Sequence, residues 1–153
     1  MGALSRALAI AGGAMLLGIA LFVTTSVTLR AVTGAGIDGD FELVQIAAAM
    51  AAFCLFPLCV ATRGNIMVDT FSRRWPPPLA RFLDGLWDLL FALIAAVFAA
   101  RMVAGALDQL RSNTTSIVLG IPTWWAVALC AALLGVLAAV ALAVGLRQMG
   151  RRR

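Results

Sequence analysis

The sequence predicts an all-α membrane protein. Four transmembrane helices are expected, with both termini cytoplasmic and a short amphipathic helix on the inner surface between spans two and three. Three observations predict it. The residues are 63% hydrophobic and only 12% charged, whereas a typical soluble domain is about half apolar and about a quarter charged. The apolar residues collect in four runs, each reaching or exceeding the roughly 20 residues that carry a helix across about 30 Å of hydrocarbon. The charges lie mostly between those runs. Helix is the expected state of each run, because an open strand would leave backbone N–H and C=O groups unpaired in lipid.

The first run covers about 7–29 and follows Arg6. A cleaved signal peptide is the alternative, but the run exceeds the roughly 7–15 residues of a signal h-region. No small-x-small cleavage site follows, so a retained signal-anchor helix is expected. The second run covers about 41–61, with Glu42 as its one acid, at the outer edge. A loop over about 62–81 comes next. Within it Met67, Val68, Phe71 and Trp75 share one face at helical spacing, and Asn65, Asp69, Ser72 and Arg73 share the other. A helix lying in the interface satisfies both faces; a plain solvated loop is the alternative. Pro76, Pro77 and Pro78 end that segment.

The third run covers about 82–107. Asp84 and Asp88 share a face near its inner end, three and seven residues after Arg81. They form either a local interfacial pair or a contact for a partner protein. Arg101 lies inside the span, where charge is costly and often functional. It either snorkels outward or pairs with Asp108, with Glu42, or with a group on another subunit. The fourth run covers about 122–146 and leads into a basic tail, 147–153. Pro122 suits a first helical turn, and Trp124 and Trp125 suit a membrane–water boundary.

Orientation follows from the arginines. All 12 basic residues are arginine. Nine of them (Arg6, Arg63, Arg73, Arg74, Arg81, Arg147, Arg151, Arg152 and Arg153) fall on one side, against Arg30 and Arg111 on the other. The arginine-rich side is predicted to be cytoplasmic. Basic charge dispersed between apolar runs forms no nucleic-acid surface. The chain has no histidine, the commonest general base and metal ligand. Cys54, Cys59 and Cys130 fit no metal-binding spacing. No phosphate loop or nucleophile elbow is present, so neither an enzyme nor a cofactor is expected. The central sections of the spans are Ala, Leu, Val, Gly and Ile, unlike carriers that place acids or broken helices near the midplane. Gly85, Ala92, Ala96, Ala100, Gly135 and Ala139 permit close helix packing, within this chain or with a neighbour.

Two segments resemble a known family. One is Arg63-Gly64-Asn65-Ile66-Met67-Val68-Asp69, after the second span; the other is Thr115-Ser116-Ile117-Val118-Leu119-Gly120-Ile121-Pro122-Thr123-Trp124, entering the fourth. With Glu42-Leu43 and four spans in this length, the chain resembles the small membrane subunit of tripartite ATP-independent periplasmic (TRAP) transporters, the DctQ-like or Q subunit. The resemblance covers nearly the whole chain, and the order and spacing of the motifs carry most of it. Asn65 stands where the family often has histidine, and the tyrosine and proline common in its fourth span are absent here.

The resemblance implies a bacterial inner-membrane protein with two partners, a large many-spanning membrane subunit and a periplasmic substrate-binding protein. It implies uptake of organic acids driven by an ion gradient. The small subunit would brace the large one and help present the docking surface. On that reading Arg63, Asn65 and Asp69 fix the inner loop, and Pro122 and Trp124 fix the entry to span four. Glu42, Asp84, Asp88 and Arg101 are further structural or partner-contact candidates. Asp38, Asp40, Arg111 and Ser116, placed by sidedness alone, are candidates to meet the binding protein. The alternatives are a self-sufficient four-helix transporter or exporter, which would need an embedded acid, and another accessory or assembly membrane protein.

Overall fold

A backbone in lipid must satisfy its own hydrogen bonds, and all four apolar runs do so as helices. The computed structural model describes residues 2–62 and 77–150, with side chains over 3–62 and 83–147. The helices are α1 (Gly2–Thr33), α2 (Asp40–Ala61), α3 (Pro77–Arg111) and α4 (Trp124–Gly150). Each contains a stretch long and apolar enough to cross a bilayer. The surface helix expected around Asn65 to Trp75, and with it Arg63, Asn65 and Asp69, lies outside the described residues.

Local hydrogen bonds shape the last turns of α1 and close α3. Near the end of α1 the hydroxyls of Thr24, Thr25, Thr28 and Thr33 each donate to the carbonyl four residues back. Those polar groups therefore spend their hydrogen bonds inside the helix rather than competing with it. At the end of α3 the Thr114 N–H reaches the Gln109 carbonyl and the Asn113 N–H reaches that of Leu110. Asn113 takes a left-handed conformation, φ 47°, and the pair of bonds is the Schellman closure.

The helices form an open row rather than a closed bundle. α1 packs against α2, α2 against α4, and α4 against α3; no other pair among the described residues shares a substantial interface. α4 is the most enclosed helix and α1 the least. One apolar core joins α3 and α4 to the end of α2, built from Val60, Ala92, Ala95, Leu134, Leu137, Ala138, Val140 and Ala141. Small residues set the closest approaches. A Cβ on Gly12 would lie 2.9 Å from Cys54 Cβ and 3.0 Å from the Ala51 carbonyl oxygen, where α1 crosses α2. A Cβ on Gly145 would lie 3.1 Å from Asp88 Cβ and 3.3 Å from the Gly85 carbonyl oxygen, where α4 crosses α3. Asp88 therefore faces α4 rather than a free surface, while Asp84 is half-buried.

The row has two ends. The connections 34–39 and 112–123 share one, called the loop end below. The start of α1, the end of α2, the start of α3 and the end of α4 lie at the other.

Candidate functional site at the loop end

The connection between α3 and α4 folds into a compact turn. Thr115 and Pro122 face each other as an isolated antiparallel bridge. Proline has no N–H to give, so the bridge is bonded by its neighbours: Ser116 N–H donates to the Ile121 carbonyl at 2.9 Å, and Thr123 N–H to the Thr114 carbonyl at 3.4 Å. Pro122 was expected inside the first turn of span four. It lies instead in this bridge, and α4 begins at Trp124, because the Thr123 carbonyl accepts the first helical bonds, from Ala126 and Val127. Gly120 supplies the left-handed corner, φ 64°.

Three successive amides at the tip of this turn point to one carboxylate. Glu42 Oε1 accepts from Ile117 N–H at 2.8 Å and from Val118 N–H at 2.9 Å, and Oε2 accepts from Leu119 N–H at 3.1 Å. Consecutive N–H groups in a turn form a concavity suited to an anion, and here the chain fills it with its own side chain. The first turn of α2 thereby holds a segment more than seventy residues away in sequence. Such charge-assisted bonds are stronger than neutral ones.

Two further contacts lock the same end. Ser26, buried on α1, donates to Asp40 Oδ2 at 2.6 Å, and Arg30 reaches that oxygen at 3.5 Å. Thr123 donates to Gln109 Oε1 at 3.1 Å, tying the foot of α4 to the top of α3. Gly39, the residue before α2, adopts φ 75°, and a Cβ there would overlap the Leu119 side chain. Gly39→Ala combines a left-handed alanine, costing about 1–2 kcal/mol, with displacement of Leu119. Thermal unfolding in detergent should show that loss, with faster amide exchange at Leu119; unchanged exchange there would mean that the turn does not rest on Gly39.

The candidates named from sequence divide accordingly. Glu42, Ser116, Pro122 and Trp124 come together in or beside the clamped turn, and Asp40 is engaged by Ser26 and Arg30. Asp38 and Arg111 are exposed at the same end. Arg101 is not brought to the site: Glu42, one of its expected partners, is committed to the turn, and no ion pair joins Arg101 to Asp108. Sequence reasoning missed Gly39, Ser26 and Gln109. The Asp38-Gly39-Asp40 run is a turn signal that points to the first; nothing local marks the other two.

The clamp leaves its apolar tip outside. Ile117 is 97% exposed and Val118 61%. Below the turn, a groove of about 370 Å³ runs between α2 and α3 over α4, lined by residues such as Gln45, Ile46, Phe53, Met102, Thr123 and Cys130. Its walls are mainly apolar and hold no acid except Glu42 at the rim. Among the described residues no group of three His, Cys, Asp or Glu side chains converges to hold a metal ion.

The Glu42 carboxylate holds the turn, and the helices lie beneath it. Neither the curated proteins nor the solved structures include a match to the chain. A family model does: Tripartite ATP-independent periplasmic transporters, DctQ component, over residues 19–151. That match takes in α2, α3, α4, the later part of α1 and the whole clamped turn, and it shows that the chain belongs to the DctQ family, the small membrane subunit of TRAP transporters.

Proposed function

We propose that this subunit braces the large permease subunit of its transporter, with the loop end facing the periplasm. It is non-catalytic, and the substrate, an organic acid driven inward by an ion gradient, crosses through the partner. The observation that carries this reading is the open row of helices. A chain that moved solute by itself would enclose a polar path between its spans. Here the spans stand side by side with apolar faces outward, and the groove between α2 and α3 is mainly apolar. Such a row widens and stiffens the fixed frame of a neighbour. A permease whose moving part slides through the membrane needs a frame of that kind.

At the loop end, the carboxylate clamp holds a preformed turn with an exposed apolar tip. Ordering that turn in advance lowers the entropy cost of binding. Asp38, Arg111 and the tip residues Ile117 and Val118 are the groups positioned to meet the periplasmic binding protein. The arginine count places both termini and the α2–α3 connection in the cytoplasm.

The test is purification of the tagged chain in mild detergent from its native host, with the companions identified by mass spectrometry. A large permease is expected in stoichiometric amounts, and liposomes holding this chain alone should show no uptake. A homodimer that transports alone would overturn the reading.

A further inference from the structure

Arg101 projects from α3 into the space outside the row. It is exposed, and no hydrogen bond or ion pair ties it to any described residue. Its neighbours on the same outward face, Ile94, Val97, Phe98 and Ala104, are exposed as well. The Gln109–Thr123 hydrogen bond marks the level at which α4 begins with Trp124 and Trp125. Arg101 lies eight residues of α3 below Gln109, about 12 Å of helix rise. That depth is well inside a hydrocarbon layer about 30 Å thick.

Snorkelling is the usual escape for such a charge, but the direction of α3 works against it. In a helix each Cα–Cβ bond tilts toward the N-terminus, and the side chain covers the turn on that side. The end of α3 nearer to Arg101 is its C-terminus. The side chain therefore sets out toward the bilayer centre, away from the closer phosphate layer. Reaching that layer would require it to fold back over its own helix. Neither of the described carboxylates expected as partners, Glu42 and Asp108, relieves the charge. Glu42 is committed to the 117–119 amides. Asp108 shares the outward face but stands seven residues on, about 10 Å of rise away.

We infer that Arg101 pairs with an aspartate or glutamate in a transmembrane helix of the large subunit, docked along the Ile94–Val97–Arg101–Ala104 face of α3. This rests on the bracing role proposed above and names one of its contacts. A guanidinium presents a planar fork that a carboxylate matches with two hydrogen bonds. In lipid neither charge has water to fall back on, so each fixes the other's position.

The experiment measures binding between this full-length chain and its large subunit in lipid nanodiscs. The variants are Arg101→Leu in this chain and, separately, each intramembrane Asp or Glu of the large subunit changed to its amide. Arg101→Leu should insert and fold alone at least as well as the wild type, because it removes a charge from lipid. Its dissociation constant for the large subunit should rise by roughly 30-fold or more, as when one partner of a desolvated pair is truncated. One acid of the large subunit should reproduce that loss with this chain unaltered, and should add nothing to it in combination with Arg101→Leu. Unchanged binding by Arg101→Leu, or no acid with that effect, overturns the pairing while leaving the bracing role intact. Failure of the wild-type chain to bind the large subunit overturns both.

Discussion

Replacing Glu42 by Gln should release the turn at the loop end and lower substrate uptake by the assembled transporter severalfold or more, while leaving the four helices in place. The carboxylate accepts three consecutive amides through two oxygens, with Ile117 and Val118 on one and Leu119 on the other. Glutamine keeps the shape but offers one acceptor oxygen and one NH₂ group. Whichever way the amide turns, an N–H of the chain meets another donor, and the negative charge that strengthened all three bonds is gone. Amide exchange at Ile117, Val118 and Leu119 should accelerate by roughly an order of magnitude or more, as expected for a segment whose closure has been weakened. Exchange in the middle of α4 should not change. Unaltered protection at the three amides would show that the carboxylate does not hold the turn. Faster exchange with full uptake would separate the clamp from transport and remove the turn from the docking surface.

This clamp also shows what the sequence could and could not convey. The four spans were legible because a run of some twenty apolar residues has few other uses. The family was legible because the Thr115–Trp124 segment keeps its order and spacing. That Glu42 and this segment belong to one device was not legible. Glu42 lies at the start of a span, where an acid needs no special explanation, and a hydrogen bond between a side chain and distant backbone N–H groups leaves no trace in residue type at the receiving end. Ile117, Val118 and Leu119 are apolar residues recruited for their amides.

The order of the helices was hidden for a related reason. A helix that is apolar on every side carries no stripe to say which face is inside. Small residues were the available clue, and they serve two purposes here. Gly85 and Ala92 lie buried at the α3–α4 crossing, whereas Ala96, Ala100, Gly135 and Ala139 of the same two helices open outward. Composition alone does not sort these sets, because both satisfy the same rule of close approach. Arg101 stood out in the sequence, but its isolation did not, since Asp108 and Glu42 both looked near enough until the helices were placed.

Among the described helices α1 packs substantially on α2 alone, and a single added side chain at their crossing should open that joint. α1 has no substantial interface with α3 or α4. Besides the helix crossing, Ser26 and Arg30 of α1 both reach Asp40 at the loop end. At the crossing, a Cβ on Gly12 would meet Cys54 Cβ at 2.9 Å, the Ala51 oxygen at 3.0 Å and Leu55 Cγ at 3.2 Å. The leucine tip can rotate away, but a backbone carbonyl moves only with its helix. Gly12→Leu must therefore push α2 from α1, at an overpacking cost of about 1–3 kcal/mol. The expected result is a chain with α2, α3 and α4 still associated and α1 exchanging and cleaved faster. Gly13 is the internal control, since no atom lies within 4 Å of a Cβ placed there. Gly13→Leu adds the same bulk to the same helix one residue along, and the isolated chain should tolerate it. Equal damage from the two changes would mean that α1 does not cross α2 at Gly12. Damage from Gly13→Leu that appears only in the assembled transporter would place the open side of α1 against the large subunit.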